Sequence, residues 1–278
     1  MMTRLMAFEG MPESVRVPAY RRENHGAGIV HLGLGAFHKA HQTVYTDDAI
    51  EHSGGDWRIL GVSLRSPKAS EELHPQTGLY TLIEKGTEGT QARVIASIAD
   101  AVCSAGDPEP ALAAMAAATT RIVSLTVTEK AYGLDRAAQG CDPQHPAVAA
   151  DLATPDAPQG VLGLLTEALR RRRAAGLPPF TVLCCDNLPD NGVLLRGAVV
   201  DFARRRDPAL SDWIAAEVAF PSTMVDRITP AATEATRAEA AALTGCEDLA
   251  AVETERFCQW VIEDHFPLGR PDWEAAGV

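Results

Sequence analysis

The chain runs to 278 residues, 46% of them apolar and 22% charged, enough to bury a substantial core in one large domain or two ordinary ones. A formal net charge of -12 argues against a nucleic-acid surface, which needs a basic stripe to displace counterions from phosphates. No apolar run is long enough to span a bilayer and no secretory leader pattern stands at the N-terminus, so the expected location is the cytoplasm.

Residues 1–24 carry mixed charge and no clear period, which reads as a loose or surface-packed arm. Regular structure is expected from Gly28, where Ile29-Val30-His31-Leu32 is a short apolar run of strand type. It passes through Gly33-Leu34-Gly35 into helical spacing at Phe37, Ala40, Val44 and Tyr45. A strand, a glycine turn and a helix form a dinucleotide site: the first glycine permits the tight turn, the second lets a diphosphate approach the backbone, and free N–H groups attract the anion. Standing alone, the glycine pair is equally an ordinary turn, and the third fingerprint position is His38, where a small residue would let helix and strand close up.

The helix is expected to fade near Ser53, and Trp57 to Leu64 reads as a second buried strand, which completes a βαβ unit. Beyond it, where an acidic residue would bind the ribose of NAD, stand Arg65-Ser66. These suit a 2′-phosphate and lean towards NADP; otherwise Arg65 is a surface-loop residue. Leu79 to Lys85 and Ala92 to Ile98 flank Gly86-Thr87-Glu88-Gly89 and predict a hairpin inserted into a mainly parallel sheet. A small helix from Pro108 to Ala118 leads to the strand Ile122 to Val127, which ends at Thr128, Glu129 and Lys130.

Residues 135–159 are rich in proline, aspartate and alanine and predict a long irregular connection. Val161, Leu164, Leu165, Ala168 and Leu169 share one helical face, and the helix should stop at Gly176. The basic run Arg170 to Arg173 at its end reads as a solvated terminus suited to the helix dipole. Phe180 to Cys185 is a further buried strand that delivers Asp186-Asn187 to the same edge as the glycine turn. Helices are expected from Asn191 to Arg206, Pro208 to Val218 and Thr233 to Leu243, with short extended pieces around Met224 to Ile228 and Gln259 to Glu263. The six cysteines show no C-x-x-C spacing and read as reduced, mostly buried thiols. His38 and His41 lie three apart without a third ligand nearby, so no metal is expected.

Four runs carry a family resemblance: Ile29 to Gln42, Ser124 to Tyr132, Cys185 to Gly192 and Phe220 to Pro230. Together they resemble the polyol-specific long-chain dehydrogenases, among them mannitol 2-dehydrogenase and fructuronate reductase (D-mannonate oxidoreductase), over nearly the whole chain from His25 onward. The resemblance implies a Rossmann-like doubly wound, mainly parallel sheet over residues 25–266, with 267–278 a linker and the start of a truncated helical C-terminal domain. It also implies metal-independent hydride transfer between NAD or NADP and a sugar alcohol or hexuronate. By motif position Gly33 and Gly35 would hold the cofactor diphosphate, with Ala36, Phe37 and His38 counted in the cofactor site as the chain enters the helix beneath it, and Thr126 and Glu129 would border the nicotinamide; Arg65 joins the cofactor-binding set by its place at the strand end. Asn187 would stabilise the oxyanion, and Asp226 and Arg227 would bind substrate. The family's base, a lysine in Lys-x-x-x-x-Asn-x-x-His, has no match here: the lysines are Lys39, Lys68, Lys85 and Lys130. The alternative is a non-catalytic NAD(P)-binding module.

Overall fold

The computed structural model describes residues 2–127 and 131–278. In chain order its strands are β1 (Val15–Arg16), β2 (Ala27–Leu32), β3 (Arg58–Ser63), β4 (Tyr80–Gly86), β5 (Gly89–Ile95), β6 (Ile98–Cys103), β7 (Ile122–Leu125), β8 (Leu134–Asp135), β9 (Gly140–Cys141), β10 (Thr181–Cys184), β11 (Thr223–Asp226), β12 (Val252–Glu255) and β13 (Gln259–Ile262). The α-helices are α1 (Ala36–Ala40), α2 (Gln42–Ser53), α3 (Lys68–Leu73), α4 (Glu109–Ala116), α5 (Pro146–Ala153), α6 (Val161–Ala174), α7 (Asn191–Arg206), α8 (Pro208–Glu217) and α9 (Glu234–Thr244).

Five strands form the central sheet in the order β10-β7-β2-β3-β6, every neighbouring pair parallel. Both of its faces are covered, which is why its strands are apolar runs without polar alternation. Val30, Leu32, Val123, Leu125 and Val182 enter a core under α4, α6 and α7. Their neighbours Ile29, Ile59, Ile122, Leu183 and Cys185 point the other way, to Tyr45, Ile50, Trp260 and Trp273. The strand order reverses between β2 and β7, the topological switch point at which open α/β sheets leave a crevice beyond the carboxyl ends.

The hairpin forms as expected, β4 against β5 with Gly86 opposite Gly89. It does not join the parallel sheet; with β1 and β12 it builds a second, mixed sheet in the order β1-β5-β4-β12. The N-terminal arm is accordingly packed, not loose: Leu5 is fully buried and β1 lies parallel to β5. Strands β6 and β12 were not legible in sequence because IADAVC and VETE carry acidic residues and little apolar alternation. The first helix is broken at His41 into α1 and α2.

The connection at 135–159 holds a helix, α5, whose Asp151 carboxylate accepts from Gln159 N at 2.8 Å and Gly160 N at 2.9 Å and so secures the start of α6. Of the basic run only part is solvated. Arg170 and Arg171 pair with Glu167, whereas Arg172 is fully buried and caps the carbonyls of Pro178 and Ala117 at 2.7 and 2.5 Å. The C-terminal residues fold back, with Trp273 fully buried against Trp260 and donating to Thr46 Oγ1 at 3.2 Å.

One buried charge cluster joins the two sheets. Asp47 on α2 accepts from Arg93 of β5 at 3.0 Å, from Tyr20 Oη at 2.7 Å and from Ala96 N at 3.0 Å. The side chains of Arg93 and Asp47 are 8% and 0% exposed, and Asp48 also accepts from the guanidinium at 2.7 Å, so removing Asp47 leaves Arg93 with one acid and leaves Tyr20 Oη and Ala96 N without their buried acceptor. Asp47→Ala is expected to cost about 2–3 kcal/mol through the unsatisfied buried donors, read as a shifted urea midpoint; a loss below about 1 kcal/mol would show that the cluster does not hold the layers.

Candidate functional site

The turn between β2 and α1 is fixed by sterics. Gly33 has φ +99°, and a Cβ there would lie 2.1 Å from the Thr126 carbonyl oxygen. Both the left-handed backbone and the close approach demand glycine. Gly35 is exposed, and a Cβ on it would meet nothing nearer than Gly33 O at 3.7 Å, which leaves an open approach to the backbone. Helix α1 begins immediately afterwards, and its leading N–H groups have no acceptor within the helix.

Under the turn lies a polar network, buried except at the half-buried Thr126. Ser124 Oγ lies 2.8 Å from Gln42 Oε1 and Thr126 Oγ1 lies 3.0 Å from Gly33 O. The His31 ring is held between the two hydroxyls, Nδ1 at 2.8 Å from Ser124 Oγ and Nε2 at 2.8 Å from Thr126 Oγ1. His38 stacks on His31, with ring centroids 3.3 Å apart and planes 11° apart. Helix and strand therefore close up at the third fingerprint position through a ring stack. The expectation that His38 touches cofactor is corrected: it is fully buried and supports the turn from below. Phe37 is half-buried, stacks on His41, and is outside the walls of the crevice described next.

A crevice of about 470 Å³ opens over the turn, lined by Gly33, Gly35, Ala36, Arg65 and Thr126, so five expected cofactor residues meet in one place. Glu129 lies outside the described residues. Lys39, Lys68 and Arg237, not expected from the sequence, line the same crevice; among the described residues they and Arg65 set four cations against one acid, Glu72. Arg237, on α9, pairs with Glu72 at 3.0 Å. Lys39 Nζ donates to Ala250 O at 2.8 Å, and burial lowers its pKa to about 8. Lys68 follows the strand-end arginine by three residues and was within reach of the sequence; Arg237 comes from a distant helix and carried no local signal.

At the neighbouring strand end, the Asp186 carboxylate accepts from Val127 N at 3.0 Å and Tyr132 Oη at 2.6 Å, tying the ends of β7 and β10 together. Asn187 follows on an exposed loop. Asn191, buried at the start of α7, accepts from Thr223 N at 2.9 Å and donates towards Asp186 O at 3.0 Å, which fixes β11 beside that loop. Asp226 ends β11 and is exposed. Asn187 and Asp226 lie outside the walls of the crevice. Arg227 is turned inward, 5% exposed, paired with Glu84 and donating to the carbonyls of Ala40 and Glu255. A guanidinium so committed joins the β11 segment to β4 and cannot serve a substrate. Cys184 and Cys185 are both buried on opposite faces of the sheet, and burial raises both thiols, Cys184 to about 11.

A model of the mannitol dehydrogenase Rossmann domain matches residues 27–275. The chain is 46% identical over 269 residues to mannitol 2-dehydrogenase of Phaeosphaeria nodorum, covering 96% of this chain and 47% of that protein. It is 46% identical over 265 residues to D-mannonate oxidoreductase of Escherichia coli, covering 94% of this chain and 54% of that protein. The solved structure of Pseudomonas fluorescens mannitol 2-dehydrogenase, a ternary complex with NAD and D-mannitol, superposes with a TM-score of 0.94 at 42% identity, covering all of this chain and 57% of that one. The chain thus spans about half the length of the curated relatives it matches.

Burial depresses all three histidines of the turn: His31 to about 3, His41 to about 4, and His38 well below its ordinary value. Each binds its proton near pH 6.5 only when unfolded, so the unfolded state holds more protons and stability falls as pH drops below that value. Calorimetry at pH 5.5 in buffers of different ionisation enthalpy is expected to find about three protons taken up by these side chains on unfolding; uptake near zero would contradict their burial as neutral rings.

Proposed function

The chain belongs to the mannitol dehydrogenase family, and from that premise we propose that it is the dinucleotide-binding half of an NAD(P)-dependent oxidoreductase. The full protein would move a hydride between a linear sugar alcohol or aldonate and its keto form, with mannonate and fructuronate the preferred pair ahead of mannitol and fructose. The observation that carries the assignment is the crevice at the β2/β7 switch point, where an open glycine backbone and four cations converge in an otherwise acidic molecule.

The residues fit a dinucleotide. Gly33, Gly35 and Ala36 offer backbone to the diphosphate, and Thr126 borders the turn from β7. Arg65, Lys68 and Arg237 form the basic end of the crevice, which suits the extra 2′-phosphate of NADP. When bound, the nicotinamide supplies or accepts the hydride. Asn187 offers an uncharged N–H donor to the substrate oxygen as negative charge grows on it, and its backbone is set by the Asp186 clamp. Asp226 would accept from substrate hydroxyls. A secondary alcohol also needs a base, and none of the four lysines stands in the Lys-x-x-x-x-Asn-x-x-His pattern. The 278-residue chain is therefore expected to bind cofactor without turning it over.

Calorimetric titration tests this directly. The chain should bind NADPH and NADH and should show no oxidation or reduction with mannonate, fructuronate, mannitol or fructose; binding of neither nucleotide would overturn the assignment. Arg65→Ala is expected to weaken NADPH by about tenfold with NADH nearly unchanged, and equal losses would remove the NADP preference. In the full-length protein, Asn187→Ala should lower kcat roughly a hundredfold or more while cofactor affinity holds. Undiminished turnover would exclude the oxyanion role.

A further inference from the structure

At the opposite, N-terminal edge of the parallel sheet, two guanidiniums converge without an anion. Arg58 opens β3 and Arg22 ends the N-terminal arm, and both donate to one acceptor, the carbonyl of Ile98 at the start of β6, at 3.0 and 3.2 Å. Their other acceptors are neutral as well: Arg22 reaches Thr77 Oγ1 at 3.1 Å and the Thr77 carbonyl. The Nε of each is buried and has no hydrogen-bond partner. The carboxylates that feel this pair are already engaged. Asp47 is held by Arg93 and Tyr20, Asp100 by His74 at 2.8 Å, and Glu23 by Arg21 at 2.8 Å. Among the described residues, no carboxylate lies within ion-pair distance of either guanidinium.

Two like charges drawn out of water onto a shared carbonyl repel one another, and desolvation by burial, then repulsion from Arg58, lower the pKa of Arg22 to about 10. In a protein of net charge -12, where most half-buried arginines face an acid, this pair is electrostatically incomplete. It faces a cavity of about 650 Å³ between the arm and the sheet, whose walls also carry Arg21 and the apolar Met6 and Phe8. Glu9 and Glu23 line it too, Glu9 exposed and Glu23 turned to Arg21.

We propose that this cavity is a second ligand site, which binds a small organic anion through a carboxylate or phosphate group held by Arg22 and Arg58. The anion supplies the missing negative charge with charge-assisted hydrogen bonds, and the apolar wall takes the body of the molecule. The site lies across the sheet from the nucleotide crevice and is independent of it.

The test is the melting temperature of the chain in low-salt buffer titrated with inorganic phosphate and with malonate, against sodium chloride at matched ionic strength. At tenfold excess over Kd, one or both probes are expected to give a saturable rise of about 3 °C, and chloride none. Arg58→Gln and Arg22→Gln should each weaken the responding probe at least tenfold. Because these arginines also anchor Ile98, Ala99→Asp provides a second variant, with a carboxylate on the cavity wall beside that residue. It should raise the ligand-free melting temperature and abolish the response. Absence of a response to both probes, an equal response to chloride, or a response retained in Arg58→Gln or Ala99→Asp would overturn the site. NADPH binding by the same variants stays at the wild-type value, so failure here and failure of the nucleotide assignment read out separately.

Discussion

The contact on which the crevice depends is the approach of the Thr126 carbonyl to the α-carbon of Gly33, so close that a side chain there would lie 2.1 Å from the oxygen. It lets the chain leaving β2 pass over the end of β7, where the strand order of the parallel sheet reverses. The same approach lets the Thr126 hydroxyl reach Gly33 O and ties both strand ends to His31 below. The turn is therefore held from two sides, by a steric limit above and by a polar network beneath. A backbone so fixed presents its N–H groups to a diphosphate with little ordering left to do, which is what preorganisation means for an anion site.

Buried charge does structural work at several other points, each by its own chemistry. Arg93 is neutralised by Asp47 and Asp48, and so joins the mixed sheet to α2. Arg227 combines an ion pair to Glu84 with two carbonyls and draws the short β11 segment against that same sheet. Arg172 has no acid partner among the described residues and caps carbonyls at the end of α6, with its guanidinium over the Phe180 ring. These guanidiniums reach several acceptors at once in a planar fork, which a lysine cannot do. The contrast with Arg22 and Arg58 is one of geometry: there, two forks compete for one carbonyl.

The crevice chemistry was partly visible beforehand because several of its residues are local in sequence. Gly33, Gly35 and Ala36 belong to one turn, and Arg65 and Thr126 each sit at the end of a strand whose apolar run announces it. Arg237 was invisible because α9 reaches the crevice only through the mixed sheet. His38 and Arg227 were misjudged for a common reason. A polar residue inside a motif looks functional in one dimension, and only the packing shows whether its polar atoms face solvent or are consumed inside.

What the sequence by itself determined is the set of buried parallel strands, the glycine turn and the helices with strong one-sided patterns such as α6 and α7, because these follow from local sterics and from periodic burial. The family's motifs carried the same information. What only the tertiary structure decided is the company each group keeps: the hairpin in its own sheet with the arm, the acidic strands β6 and β12, the ring stack under the turn, and the pairing state of every arginine. Those outcomes depend on contacts between residues far apart in the chain. A charge that reads as solvated from its neighbours in sequence becomes a cap, a clasp or an unfilled partner according to which carbonyl or carboxylate the fold brings to it.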